Sequence, residues 1–313
     1  MVGKKCRRGG PLKGTGIDLG LMARIQADTH DYAHPLSIEY NERMSKEHLN
    51  RVDGPVSYRR MELSPKQASE RIKRKAFELG ADLVGFTVLE PSFIIKDEPV
   101  AGRWAISLAL EMDYDRIARS PKHPSSIEVS RTYYELGNIA IELANYIRSL
   151  GYNAIVHHPR GFNGRVGAVF HKPVAQKAGL GEIGRHSMLI TPEFGPRIRL
   201  ATVSTELKLV ATHPLNLGIA RYCDQCAKCV QKCPVGAIPK HKTAKISADG
   251  KKRLRKKVWR IDVNSCIPQF IKTDGCAICI KECTFNQRPE RAIPFVEKVS
   301  KRKFSSRARC RPA

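Results

Sequence analysis

Eight of the ten cysteines fall between residues 223 and 283, and their spacing is that of a metal-cluster protein. Cys223, Cys226, Cys229 and Cys233-Pro234 read C-x2-C-x2-C-x3-C-P, a run in which three thiolates grip one [4Fe–4S] cubane and the fourth reaches the neighbouring one. Cys266, Cys276, Cys279 and Cys283 form a second set, C-x9-C-x2-C-x3-C. By the same crossing rule, Cys223, Cys226, Cys229 and Cys283 hold one cluster, and Cys266, Cys276, Cys279 and Cys233 hold the second. Thiolates are soft ligands that suit zinc as well as iron, so a pair of zinc sites is the competing reading. The triple spacing with its trailing Cys-Pro is tighter than the separated pairs of a zinc ribbon. Two clusters predict a protein that moves electrons.

The elements that must carry these groups are legible from caps and periodicity. In SPKQASERIKRKAFELG, Ser64 and Gln67 form a capping box, Pro65 suits the first turn, and Gly80 ends the helix. Residues 82–89 and 103–112 read as strands, a long helix spans about 127–150 with Gly151 at its end, and 152–156 and 197–207 read as further strands. Strands alternating with helices predict a layered α and β structure. Pro214 and Gly218 mark a hinge into the cysteine-rich part.

The formal net charge of +25 is uneven: residues 216–313 carry 24 Lys/Arg against 7 Asp/Glu. The excess concentrates in residues 240–260, with Asp249 as the one acid. Such a run serves nucleic-acid phosphates or stands as a solvated insertion that docks an acidic electron donor. The near absence of interleaved aromatics, Trp259 apart, favours the second. No apolar run approaches the ~18 residues that cross a membrane. Lys4, Lys5, Arg7 and Arg8 precede Gly9, Gly10 and Pro11 in place of an apolar stretch, so no export signal is read there. Cys6 and Cys310 read as free thiols, and a cytoplasmic location is expected.

AGLGEIGR (178–185) and ITPEFGPRIRL (190–200), in that order before the two cysteine sets, make the chain resemble the catalytic subunit of corrinoid-dependent reductive dehalogenases. The epoxyqueuosine reductases that act on tRNA share the layout more loosely. The resemblance covers roughly residues 64–290. It implies an α+β protein: a nitroreductase-like α/β corrinoid-binding domain (61–215) followed by a ferredoxin-like domain with two [4Fe–4S] clusters (216–290). An irregular or partly helical extension (1–60) and a basic tail (291–313) flank them. It further implies cobalamin as cofactor, reduced ferredoxin or flavodoxin as electron donor, and a small-molecule substrate that loses halide or a similar leaving group by two-electron reduction. The alternatives are an electron carrier that has lost the corrinoid, and a tRNA-modifying reductase. The second is opposed by FNGRVGAVFHK (162–172), which lacks the aspartate that family places there.

The resemblance also implies a tyrosine that gives a proton near the cobalt. Tyr133 and Tyr134 are the candidates, with ordinary helix-core packing as the competing role for either. A phenol acting as acid needs a cation nearby; Arg185 is the one expected, with Arg197, Arg199, Arg160 and Arg165 as other suppliers. Gly179, Gly181, Gly184, Gly195 and Arg197 are candidate cofactor contacts, the glycines because backbone without Cβ approaches a tetrapyrrole closely; plain turns are the other reading. His157 and His158 are proton-relay candidates or satisfied strand-end histidines. Asp28-Thr29-His30 lacks the glycine of a D-x-H-x-x-G corrinoid motif and reads as chance. Thr284 stands where the relatives usually have Pro and leaves the ligand set intact.

Overall fold

The computed structural model describes residues 33–48, 51, 54–95, 99–159, 169–246 and 252–301. Cys6, Cys310, Asp28-Thr29-His30, Arg160 and Arg165 lie outside the described residues.

Strands β1 (Leu83–Val88), β2 (Trp104–Glu111), β3 (Ala154–His157) and, later in the chain, β6 (Ile198–Thr205) form one sheet in the order β1-β2-β6-β3. Every pairing is antiparallel. The expected strands are therefore present to within two residues at each end, and the alternation with helices comes from connections across an antiparallel sheet. The pattern of β2 explains why both faces are covered. Ile106, Leu108 and Leu110 point into a core shared with helices α2 (Pro65–Glu78) and α3 (His123–Ser149), while the smaller Ala105 and Ala109 face the opposite layer. That layer contains helix α4 (His171–Lys177) through Val174 and Ala175.

The Ser64–Gln67 capping box opens α2 as expected, and Gly80 leaves it at φ 99°. The 27-residue α3 starts four residues earlier than expected, with Pro124 in its first turn. The segment expected as an irregular or partly helical extension carries helix α1 (Pro35–Arg43), continued by a π turn over Met44–His48. Both pack on α3.

The AGLGEIGR string carries β4 (Glu182–Ile183), which forms a hairpin with β5 (Leu189–Ile190) just beyond it. It seats helix α5 (Ile219–Gln225), the first helix of the cysteine module. The module continues with α6 (Lys228–Lys232), the hairpin of β7 (Thr243–Ile246) and β8 (Lys252–Val258), then α7 (Val263–Lys272), α8 (Ile278–Lys281) and α9 (Pro289–Ser300). Helix α9 corrects the expectation of a basic tail from 291. Its Ala292, Val296 and Val299 are buried, the two valines against Ile219, Trp259 and Phe285. Among the described residues, no helix is long and apolar enough to cross a membrane.

Candidate functional site

The eight cysteines sit on the short helices and the turns that end them. A small cavity is lined by Cys223, Cys226, Cys229 and Cys283, together with Arg185 and His186. Cys283 feels the charges of Cys223, Cys229 and Cys226, whereas Cys266 and Cys276 feel Cys233, and Cys279 feels Cys276, Cys266, Cys229 and Cys233. The last cysteine of each string therefore stands with the other string's set. Burial, and then neighbouring thiols, raises these groups: Cys279 to about 12 and Cys229 to about 11. Cys223 also reaches about 12 through burial, opposed by the backbone contact with Arg185. Crowded, buried thiols resist ionising by themselves, and a multivalent iron centre supplies the compensating charge. The donor set thus fits iron–sulfur clusters. Thr284 Oγ1 lies 3.4 Å from Cys226 Sγ, and the Ala237 N–H donates to Cys233 Sγ at 3.3 Å.

The β4–β5 hairpin holds α5 at both ends. The Glu182 carboxylate accepts from the N–H groups of Leu217 (3.0 Å) and Ile219 (2.8 Å) at the helix start. At the far end Arg185 Nε donates to the Cys223 carbonyl at 3.0 Å, and Nη2 to the Asp224 carbonyl at 3.3 Å. An acid at the N-terminus and a cation at the C-terminus both oppose the helix dipole. Arg185 also donates to the carbonyl of Lys240 and stacks 5.2 Å from the Trp259 ring. Expected beside a tyrosine, it is instead consumed by the end of the helix that carries Cys223.

The cations at the tyrosines are others. The Arg199 guanidinium lies 4.6 Å from the Tyr133 ring centroid, nearly buried, and its Nε and Nη2 have no partner among the described residues. Tyr133 packs against Met112, Ile117, Val129, Ala277 and Ile280, in one apolar cluster with Cys279. Tyr134 faces α1. Its hydroxyl donates to Glu47 and accepts from Arg43 Nη2 at 2.6 Å, while the His48 ring stacks on it at 5.0 Å. The Tyr134 bond first, and then Arg43, hold the Glu47 carboxyl below its usual range. His48 Nδ1 and His158 Nε2 are 3.0 Å apart, over Gly137, where a Cβ would stand 2.2 Å from His158 Nε2. His157 bonds Ser204 Oγ at 2.8 Å and is pushed down to about 3 by burial.

The remaining cofactor candidates meet their own chain. A Cβ at Gly179 would stand 2.4 Å from the His213 carbonyl oxygen, at Gly181 2.2 Å from that of Ile190, and at Gly195 2.0 Å from that of Phe285. At Gly184 it would meet Ile190 Cδ1 at 2.6 Å. These glycines admit protein rather than a tetrapyrrole. Arg197 is fully buried. Its Nη1 donates to Asn286 Oδ1 (2.9 Å) and the Gln287 carbonyl (2.8 Å), and its Nη2 pairs with Glu111 at 2.7 Å. It is a strut between sheet and cysteine module. Sequence reasoning missed Arg43, Glu47 and His48, whose signal was the i,i+4 charge pairing of Glu39, Arg43 and Glu47.

Residues 222–307 match the family model of the 4Fe-4S dicluster domain. The tetrachloroethene reductive dehalogenase of Dehalobacter restrictus is 34% identical over 217 residues, covering 66% of this chain and 37% of that protein. That of Sulfurospirillum multivorans is 29% identical over 183 residues, 58% of this chain and 35% of that one. An epoxyqueuosine reductase of Gloeobacter violaceus is 30% identical over 178 residues, 53% and 50% of the two chains. A solved reductive dehalogenase, described in terms of B12-dependent dehalogenation, superposes with a TM-score of 0.76 at 24% identity, covering 92% of this chain and 42% of that one. The chain thus spans well under half the length of the dehalogenases it matches, and it shares their fold. It is a mixed helix-and-strand protein with a 4Fe-4S dicluster module that resembles the reductive dehalogenases and, more distantly, the epoxyqueuosine reductases.

Proposed function

We propose that this chain is an oxidoreductase with two [4Fe–4S] clusters and a corrinoid, which removes a halide or similar leaving group from a small organic molecule. The observation that carries this reading is the surroundings of Tyr133. A phenol, a guanidinium with unused donors and a cysteine of the second set share one neighbourhood, where α3, β6 and the cysteine module meet. The reaction balances as R–X + 2e− + H+ → R–H + X−. The cysteine module passes the electrons, Tyr133 gives the proton, and Arg199 stabilises the phenolate left behind. A corrinoid bound there would supply the strongly reducing metal chemistry that a carbon–halogen bond requires. The free donors of Arg199 suit an amide-rich or anionic group beside Tyr133, and the four glycines have no part in holding it.

On this reading the nitroreductase-like corrinoid domain is residues 61–215 and the cluster domain runs from 216 through helix α9. The basic excess of the module suits an acidic donor such as reduced ferredoxin or flavodoxin. Free thiols and oxygen-labile clusters suit a reducing cytoplasm.

The test is anaerobic reconstitution with iron, sulfide and hydroxocobalamin, followed by halide release from a panel of halogenated substrates. The expected result is about eight irons and one corrinoid per chain, with halide released. Iron without retained cobalt would make the chain an electron carrier. Tight tRNA binding that falls steeply with salt would favour the epoxyqueuosine-type alternative.

A further inference from the structure

We propose that His186 sets the reduction potential of the first cluster, by donating a hydrogen bond from Nε2 to one of its sulfur atoms. This rests on the two-cluster reading above. The backbone N–H of Met188 donates to His186 Nδ1 at 3.1 Å. A ring nitrogen that accepts carries no proton, so the proton of the imidazole sits on Nε2. The side chain is 2% exposed, and Nε2 has no partner among the described residues. A buried N–H without an acceptor is rare in a folded protein and points to a group that belongs there.

The ring lines the cavity formed by Cys223, Cys226, Cys229 and Cys283, so four thiolates and the sulfides of a bound cluster are the acceptors within it. Two neighbours keep the ring in place. Arg185 locks the adjacent backbone to the Cys223 carbonyl. Gly184 leaves room on the other side, where a Cβ would stand 3.3 Å from His186 Cε1. A hydrogen bond to cluster sulfur strengthens as the cluster gains negative charge, which favours the reduced state and raises the potential. His186 is a positioning residue for the electron, not an acid.

The experiment is a redox titration of the reconstituted full chain, followed by electron paramagnetic resonance, on the parent, His186→Leu and His186→Gln. His186→Leu is expected to shift one cluster to a more negative potential and leave the other in place, with unchanged iron content. His186→Gln keeps an N–H donor and is expected to return the potential toward the parent. In parent protein with 15N-labelled histidine, the reduced state should show a nitrogen coupling that His186→Leu removes. Unchanged potentials in a fully loaded His186→Leu would overturn the proposal. If His186→Leu fails to load, absence of the nitrogen coupling in the parent overturns it instead. A parent that takes up no iron would defeat the two-cluster reading itself, so the iron assay tells the two failures apart.

Discussion

A phenol serves as an acid where a cation steadies the phenolate and its hydroxyl is not already committed elsewhere. Tyr133 and Tyr134 are adjacent on α3 but point into different surroundings. Tyr134 donates a hydrogen bond to Glu47 and accepts one from Arg43, so its hydroxyl is a clasp that ties α1 and the turn after it to α3. Tyr133 lies under Arg199, whose Nε and Nη2 have no partner among the described residues, and next to the second cysteine set. Tyr133→Phe is therefore expected to slow halide release at least ~100-fold, the loss typical of a general acid, while iron and corrinoid content stay at parental levels. Tyr134→Phe should leave turnover within a few-fold and lower the denaturant midpoint only slightly, because Glu47 and Arg43 are exposed enough to exchange the phenol for water. Single-turnover halide release and denaturant midpoints separate the two. If Tyr134→Phe were the variant that stops turnover, the proton donor would be on the α1 side of α3.

At the scale of elements, the AGLGEIGR hairpin and the loop to β6 are where the sheet and the cysteine module press together, and glycine is the material of that contact. Gly195 sits at φ 57° with no room for a Cβ against the Phe285 carbonyl. Gly236 has a similar φ of 62° but open space around it. Gly236→Ala should cost only the left-handed backbone penalty, about 1 kcal/mol. Gly195→Ala adds a steric clash with backbone and should cost at least about 2 kcal/mol more, with reduced iron uptake as Phe285 is displaced beside Cys283. Equal unfolding midpoints for the two variants would remove the close-contact argument. The same residues show what a sequence makes legible. The Ser64–Gln67 box and the cysteine strings are local patterns, so their spacing alone carried them. Arg185 reads as the cation beside a tyrosine, and Gly195 as a cofactor contact, because their actual partners, the carbonyls of Cys223 and Phe285, lie tens of residues downstream. The place of α1 was not legible for a related reason: its short helix draws its order from Tyr134 and Asn138 on α3, reached from Arg43 and from Arg51 just beyond it.

Across the whole molecule, clusters on the two cysteine sets would act as cross-links between distant stretches of chain. Cys283 stands with Cys223, Cys226 and Cys229, while Cys233 stands with Cys266, Cys276 and Cys279. Each cluster would therefore staple the α5–α6 segment to the α7–α8 segment, and metal binding would contribute directly to folding of the module. The crossing makes a prediction that sequence proximity alone reverses. Cys283→Ser and Cys226→Ser, far apart in the chain, should lose the same cluster and leave survivors with one shared resonance spectrum and one potential. Cys233→Ser and Cys276→Ser should leave the other survivor, although Cys233 is only four residues from Cys229. Iron content should fall by about half in all four variants, as expected for one cubane of two, while the spectra sort them into these pairs. A survivor in Cys283→Ser that matches the one in Cys276→Ser would mean that each string holds its own cluster. The two staples would then be local loops, and the α5–α6 and α7–α8 segments would be joined only by their packing.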